Sequence, residues 1–179
     1  MASLQFPVTS SSSAVLAEIK DIVARLNPRF LEIRRHLHAH PELSGKEYQT
    51  AAYVAGVLSA AGIPVKEGIG NTGLTAEIQS DRDRPLLGIR TDMDALPIQE
   101  RTRVVFDSVF SGIMHACGHD IHTTVGLGTA MVLAQLQAEI PCNARFLFQP
   151  AEEIAKGAQW MVDETTKDDV YGILSLHVF

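Results

Sequence analysis

Three features of the chain predict an α/β fold, a mixed sheet flanked by helices on both faces. Segments of helical period alternate with short apolar runs of strand length. Hydrophobic residues make up 46% and charged residues 20%, the balance of an ordinary globular domain. At 179 residues the chain is also long enough for one domain with a sizeable core.

The elements follow in order. Residues 1–13, with serines from position 10 to 13, read as a disordered tail. Residues 14–26 form an amphipathic helix that Asn27-Pro28 interrupts, and Pro28 can open a second helix as its first residue. That helix runs to about Ala39, where His40-Pro41 ends it. Ser44-Gly45-Lys46-Glu47 matches a capping box and starts a helix from Lys46 to Ala61, closed by Gly62. Leu74–Gln79 alternates like a strand, and Pro85–Thr91 is an apolar run consistent with a buried one. A long irregular stretch from Asp92 to Asp120 follows, and long loops in compact domains are often functional. Ile121–Ala138 has the small and apolar residues of a buried helix. Ala144–Phe148 and Gly172–Val178 read as further buried strands, with a helix around Ala158–Glu164 between them.

Composition narrows the partners. Fifteen Lys and Arg against 21 Asp and Glu give a formal charge of −6, which offers nothing to a nucleic acid or an anionic membrane. No stretch is apolar enough to span a bilayer, and the start lacks a basic region followed by a long apolar run. A cytoplasmic location with reduced thiols is therefore expected for Cys117 and Cys142. Cys142 lies between Pro141 and Asn143 without ligand-type neighbours and reads as a small packing residue.

The chemistry concentrates in Met114-His115-Ala116-Cys117-Gly118-His119-Asp120-Ile121-His122, one thiol and three imidazoles in nine residues. Thiolate, imidazole and carboxylate are the ligands of zinc-like and manganese-like ions. Cys117 and His119 flank a glycine whose freedom lets two side chains in a turn converge on one ion. Taken alone the pair also reads as a buried thiol beside a helix-capping Asp120. Glu152-Glu153 is either an acidic pair at a helix start or a ligand with a spare acid for proton transfer. His177 alone reads as a core histidine. Asp92 and Asp94 end a strand run, either as turn residues or as carboxylates that orient a ligand histidine. In Arg34–His40, His36 and His40 share a helix face while His38 points elsewhere. These groups fall at or past strand ends, where ligands bind in α/β sheets.

Their order resembles that of the N-acyl-amino-acid amidohydrolases, dinuclear metallopeptidase relatives that include hippurate and auxin-conjugate hydrolases. Five blocks carry the resemblance: Arg34–Ser44, Gly88–Ile98, Met114–Asp120 with His122-Thr123, Phe148–Glu153 and Leu176–Val178. The resemblance implies metal-dependent hydrolysis of the amide bond of N-acyl or N-aroyl amino acids. It implies two divalent ions, manganese or zinc, with cobalt or nickel also compatible. Cys117 then corresponds to the bridging thiolate, and His119, Glu153 and His177 to terminal ligands. Glu152 corresponds to the general base and Asp94 to the acid behind the site. His38 belongs to the first block without an assigned role. A related carboxypeptidase or deacetylase, or a metal-binding remnant without catalysis, is the alternative.

The chain stops after the last of these blocks, whereas members of the family are longer. Residues 14–179 are thus expected to be the N-terminal part of a catalytic metal-binding domain. A dimerisation domain and a C-terminal catalytic segment with a further histidine ligand are expected to be absent. Residues 1–179 alone are expected to turn over little or no substrate. The longer parent is expected to be a homo-oligomer acting on a small molecule.

Overall fold

The computed structural model describes residues 12–81, 83–165 and 170–178. The elements are α1 (Ser12–Ala39), α2 (Tyr48–Ala60), β1 (Val65–Ile69), β2 (Gly73–Ile78), β3 (Leu86–Asp92), α3 (His119–Gln135), β4 (Asn143–Gln149), α4 (Gly157–Thr165) and β5 (Val170–Ser175). The expected tail lies outside the described residues up to position 11, but Ser12 and Ser13 already belong to α1. No helix among the described residues is long and apolar enough to cross a membrane.

The five strands form one mixed sheet in the order β1-β2-β4-β3-β5. β3 is parallel to both β4 and β5, while β2 is antiparallel to β1 and to β4. Side chains alternate across β4. Phe146 and Phe148 join the main core with α2 and α3, and Leu147 and Gln149 face Met161 and Val162 of α4. Helices therefore cover both faces, as expected. β1 was not foreseen. Its Val65-Lys66-Glu67-Gly68-Ile69 sequence is polar and largely exposed, as suits a sheet edge that must not pair with other chains.

α1 corrects the expectation of two helices. It runs unbroken through Pro28 because Ile22, Leu26, Phe30, Ile33 and Leu37 form one stripe in the core beneath α3. Pro28 and Ala24 are both exposed, so the carbonyl that the proline leaves without an N–H partner meets water.

The capping box is also absent. The start of α2 is capped by Glu42, whose carboxylate accepts the N–H of Gln49 (3.2 Å) and of Thr50 (2.8 Å). Ser44 instead donates to Asp94 (2.6 Å), and Glu47 turns into the core. Four-residue spacing suggested a local device, but long-range partners claim both side chains.

His38 is buried between exposed His36 and His40 and ties α1 to the long loop and to α3. Its Nδ1 lies 2.8 Å from Asp120 Oδ2 and its Nε2 2.9 Å from Glu100 Oε1. Arg34 pairs with Asp120 at 2.9 Å, and Glu100 also accepts the N–H of Ser108 (2.6 Å). Carboxylates at both nitrogens favour the imidazolium. The Asp120 hydrogen bond, aided by Glu100, raises the His38 pKa above 6.5 against the opposing effect of burial.

Two outcomes are expected. Pro28→Ala restores a helix hydrogen bond on an exposed face and should stabilise the fold by about 2 kcal/mol, after the opposing gain in unfolded-chain entropy. Thermal melts should show this as a rise of roughly 4–8 °C, and an unchanged melting temperature would contradict it. The stabilisation from His38 is complete below its unfolded-state value and is lost as pH rises through its elevated folded-state value. Melting temperature should decline across that window, and His38→Gln should flatten the decline.

Candidate metal centre

Because β3, β4 and β5 run parallel, their carboxyl ends share one edge of the sheet. Asp92, Met93 and Asp94 emerge from β3, Pro150–Glu153 from β4 and Leu176–Val178 from β5. α3 starts at the same edge with His119. Gly118 precedes it at φ +82°, and a Cβ there would sit 2.5 Å from Val178 Cγ2. Only glycine permits both this backbone turn and the close approach of the chain leaving β5.

His119 occupies the middle and is fully buried. Its Nδ1 is 3.3 Å from Asp94 Oδ1. Its Nε2 is ringed by Asp92 Oδ1 at 3.6 Å, Glu152 Oε2 at 3.7 Å and Glu153 Oε1 at 3.7 Å. Despite this company, neither nitrogen has a partner in hydrogen-bonding geometry, and nor does Glu153 Oε1. Buried polar atoms left this way are costly, and a cation among the donors would satisfy them. Cys117 Sγ lies 3.5 Å from His177 Nε2. Ligating atoms converge to within 4.8 Å in three overlapping groups: Cys117, His119 and His177; Asp92, His119 and His122; His119, Glu152 and Glu153. The donor set of thiol, imidazole and carboxylate fits a divalent transition metal.

Asp94 organises this arrangement. It accepts Ser44 Oγ, the N–H of Glu152 (3.0 Å) and the N–H of Glu153 (3.0 Å). Burial disfavours its charge, but His119, Ser44 and the two backbone donors outweigh burial and hold its pKa at about 2. The glutamates ride on a tight turn in which Ala151 adopts φ +51°, a left-handed conformation that costs a non-glycine residue about 1–2 kcal/mol. The turn closes where Gly157 approaches the Pro150 carbonyl too closely for any side chain. Glu152 and Glu153 thus precede α4 and do not begin it.

A second relay runs beside the first. Arg90 pairs with Asp92 Oδ2 at 2.8 Å, and Asp92 Oδ1 lies 2.6 Å from His122 Nδ1. His122 Nε2 accepts the N–H of Val178 at 3.0 Å, so Nδ1 carries the proton and donates it to Asp92. This bond anchors the residue next to His177.

Electrostatics agree with a site awaiting positive charge. Burial, then the Glu153, Glu152 and Asp92 carboxylates, push the Cys117 thiol up to about 11. Burial opposes the charged form of His119, yet Asp94, Asp92 and Glu153 raise its pKa. Burial alone accounts for most of the fall of His115 to about 4.

All six residues singled out from the sequence (Asp94, Cys117, His119, Glu152, Glu153 and His177) meet at this edge. His36 and His40 do not. They are exposed, with His36 stacked on Tyr53 at 3.9 Å. Cys142 is a free, half-buried thiol. The Asp92–His122 relay went unassigned, although His119 and His122 stand three apart and so share a helix face.

This chain is similar to known proteins. A model of peptidase family M20/M25/M40 matches residues 88–179, the half that carries every residue of the cluster. A probable hydrolase of Synechocystis sp. is 61% identical over 90% of this chain and 42% of its own length. An N-acyl-L-amino acid amidohydrolase of Geobacillus stearothermophilus is 42% identical over 90% of this chain and 44% of its own. The crystal structure of a dinuclear metal-binding peptidase of the M20 family from Bacillus subtilis superposes with a TM-score of 0.83 at 43% identity. That match covers 87% of this chain and 44% of the other. The chain spans less than half the length of these relatives. The family model and the likeness in sequence and fold lead to one assignment: this chain belongs to peptidase family M20/M25/M40.

Proposed function

We propose that this protein acts as a metal-dependent amidohydrolase on N-acyl or N-aroyl amino acids. Cys117, His119, Glu153 and His177 would hold a pair of divalent ions, with Asp94 supporting His119. The observation that carries this reading is His119 itself. It is fully buried with both nitrogens unsatisfied, one facing Asp94 and the other facing carboxylates at 3.6–3.7 Å. Family membership and the similarity to an N-acyl-L-amino acid amidohydrolase support the substrate class. Manganese and zinc suit the mixed donors best, with cobalt and nickel also compatible.

Two divalent ions, when bound, supply the charge that acidifies water and polarises an amide carbonyl. The residues divide the remaining work. Asp94 faces Nδ1 of His119, which leaves Nε2 as the ligating atom and raises its basicity. Glu153, with 18% of its side chain exposed, suits a ligand, while Glu152, at 39%, remains open to water and substrate. Glu152 takes the proton of the attacking water and returns it to the departing amine, so the amide C–N bond breaks with the nitrogen protonated. Cys117 would hold the ions as a thiolate, so binding would be coupled to loss of its proton.

In the longer parent protein, Glu152→Gln is expected to lower kcat by about 10²–10⁴-fold while metal content stays normal. Hydrolysis of hippurate, indole-acetyl and N-acetyl amino acids, together with elemental analysis, tests this, and an unchanged rate would refute the role. The same assay tests whether residues 1–179 alone turn over substrate, which we expect them not to do. Because the Cys117 thiol must ionise from about 11, metal affinity should rise with pH between 6 and 8 by about tenfold per pH unit for that one proton. Chelator competition reads the slope, and Cys117→Ala should reduce it.

A further inference from the structure

We infer that Glu47 is a positioning residue for the catalytic turn, an inference that rests on the roles proposed for Glu152 and Glu153. Glu47 is completely buried at the start of α2. It does not cap that helix. Its Oε1 accepts the N–H of Gly45 (2.8 Å) and the N–H of Ala151 (2.8 Å), and its Oε2 accepts Thr72 Oγ1 (2.5 Å).

The Ala151 bond is the informative one. Asp94 takes the next two amides in the chain, those of Glu152 and Glu153. Three consecutive N–H groups of one turn are therefore held by two buried carboxylates from different parts of the fold. Asp94 alone would act as a hinge, because both of its bonds to the turn end on a single carboxylate. A third bond from Glu47, before those two, stops rotation about that hinge. It also pins Ala151 in its left-handed conformation at φ +51°. Ala151 is fully buried, so its amide has no solvent to turn to if Glu47 withdraws. The direction in which Glu152 and Glu153 leave the turn thus depends on an acid that touches neither the proposed ions nor the substrate.

The bond requires an acceptor at the right reach, not a charge. Glu47→Asp draws the carboxylate back by one methylene, so it cannot hold Thr72 and Ala151 together. Glu47→Gln keeps an acceptor oxygen for Ala151 and Gly45 and recovers most of the loss. Thr72→Val removes a bond to the same carboxylate without touching the turn and serves as the stability control.

Each variant, made in the longer parent protein, is loaded with Co²⁺, read by its thiolate-to-metal absorption and by chelator competition, and melted thermally. Glu47→Asp should lower Co²⁺ affinity by about 10–100-fold, the range for groups that orient ligands. It should also lower kcat on N-acetyl amino acids while KM changes little. Thr72→Val should lower the melting temperature with Co²⁺ affinity unchanged. Equal losses of affinity in Glu47→Asp and Thr72→Val, or wild-type affinity in a folded Glu47→Asp, would overturn the inference. Hydrogen exchange of the wild-type protein gives an answer even if Glu47→Asp does not fold. The Ala151 amide should be as protected as the core of β4, and exchange at the rate of an open loop would overturn the assignment. Should no acyl amino acid be hydrolysed, the functional reading fails while the Co²⁺ comparison still decides the role of Glu47.

Discussion

One buried carboxylate, that of Asp94, sets the terms for the rest of this site. Removing an ionised acid from water costs several kcal/mol unless donors surround it. Here three distant stretches surround it: the Ser44 hydroxyl before α2 and the amides of Glu152 and Glu153 after β4 donate to it, and the His119 ring at the start of α3 lies 3.3 Å away. Satisfying Asp94 therefore requires those stretches to converge. The same charge makes His119 a better electron-pair donor. A structural requirement and a chemical one are met by the same contacts.

Sheet topology makes the convergence possible. Parallel strands place their carboxyl ends on one edge, and the right-handed connection that returns the chain between them leaves a helix start there too. β3, β4 and β5 follow this rule, whereas antiparallel β1 and β2 lie to one side and lend only Thr72, through the turn between them, to the support of Glu47. The strained turn after β4 follows from the same crowding. Its left-handed Ala151 and its close passage of Gly157 past Pro150 bring both glutamates to His119 before α4 can begin.

Much of this was legible in the residues, and the gaps have physical causes. β2 announced itself by alternation, and β3 and β4 by short apolar runs of strand length. The metal-type donors stood out because thiol, imidazole and paired acids rarely gather without cause. β1 was invisible since an exposed edge strand carries no apolar pattern. Pro28 misled because local propensity favours a break, and the stripe from Ile22 to Leu37 overrides it. Ser44 and Glu47 misled in the opposite sense, since a local motif matched while both side chains had long-range partners. His38 was recognisable only by position, and its role emerges from Asp120 and Glu100, 82 and 62 residues away.

The two sides of the proposed centre are held with unequal firmness. On one side His119, Asp94, Ala151 and Glu47 are all buried, and Asp94 and Glu47 hold the turn through hydrogen bonds to its amides. On the other, His177 is exposed and follows β5, an edge strand whose Tyr171, Ile173 and Leu174 are each at least half exposed. The buried side can hold its geometry through packing, whereas His177 stands at the exposed edge of the sheet. The Val178 amide bonds to His122, which Asp92 and Arg90 fix in turn, and the His122 ring lies 4.9 Å from that of His177. The two aspartates at the end of β3 therefore do parallel jobs: Asp94 faces buried His119 and holds the glutamate turn, and Asp92, through His122, reaches the segment that carries exposed His177. Their separation by a single residue, with buried Met93 between them, is what lets one strand end align both sides of the cluster.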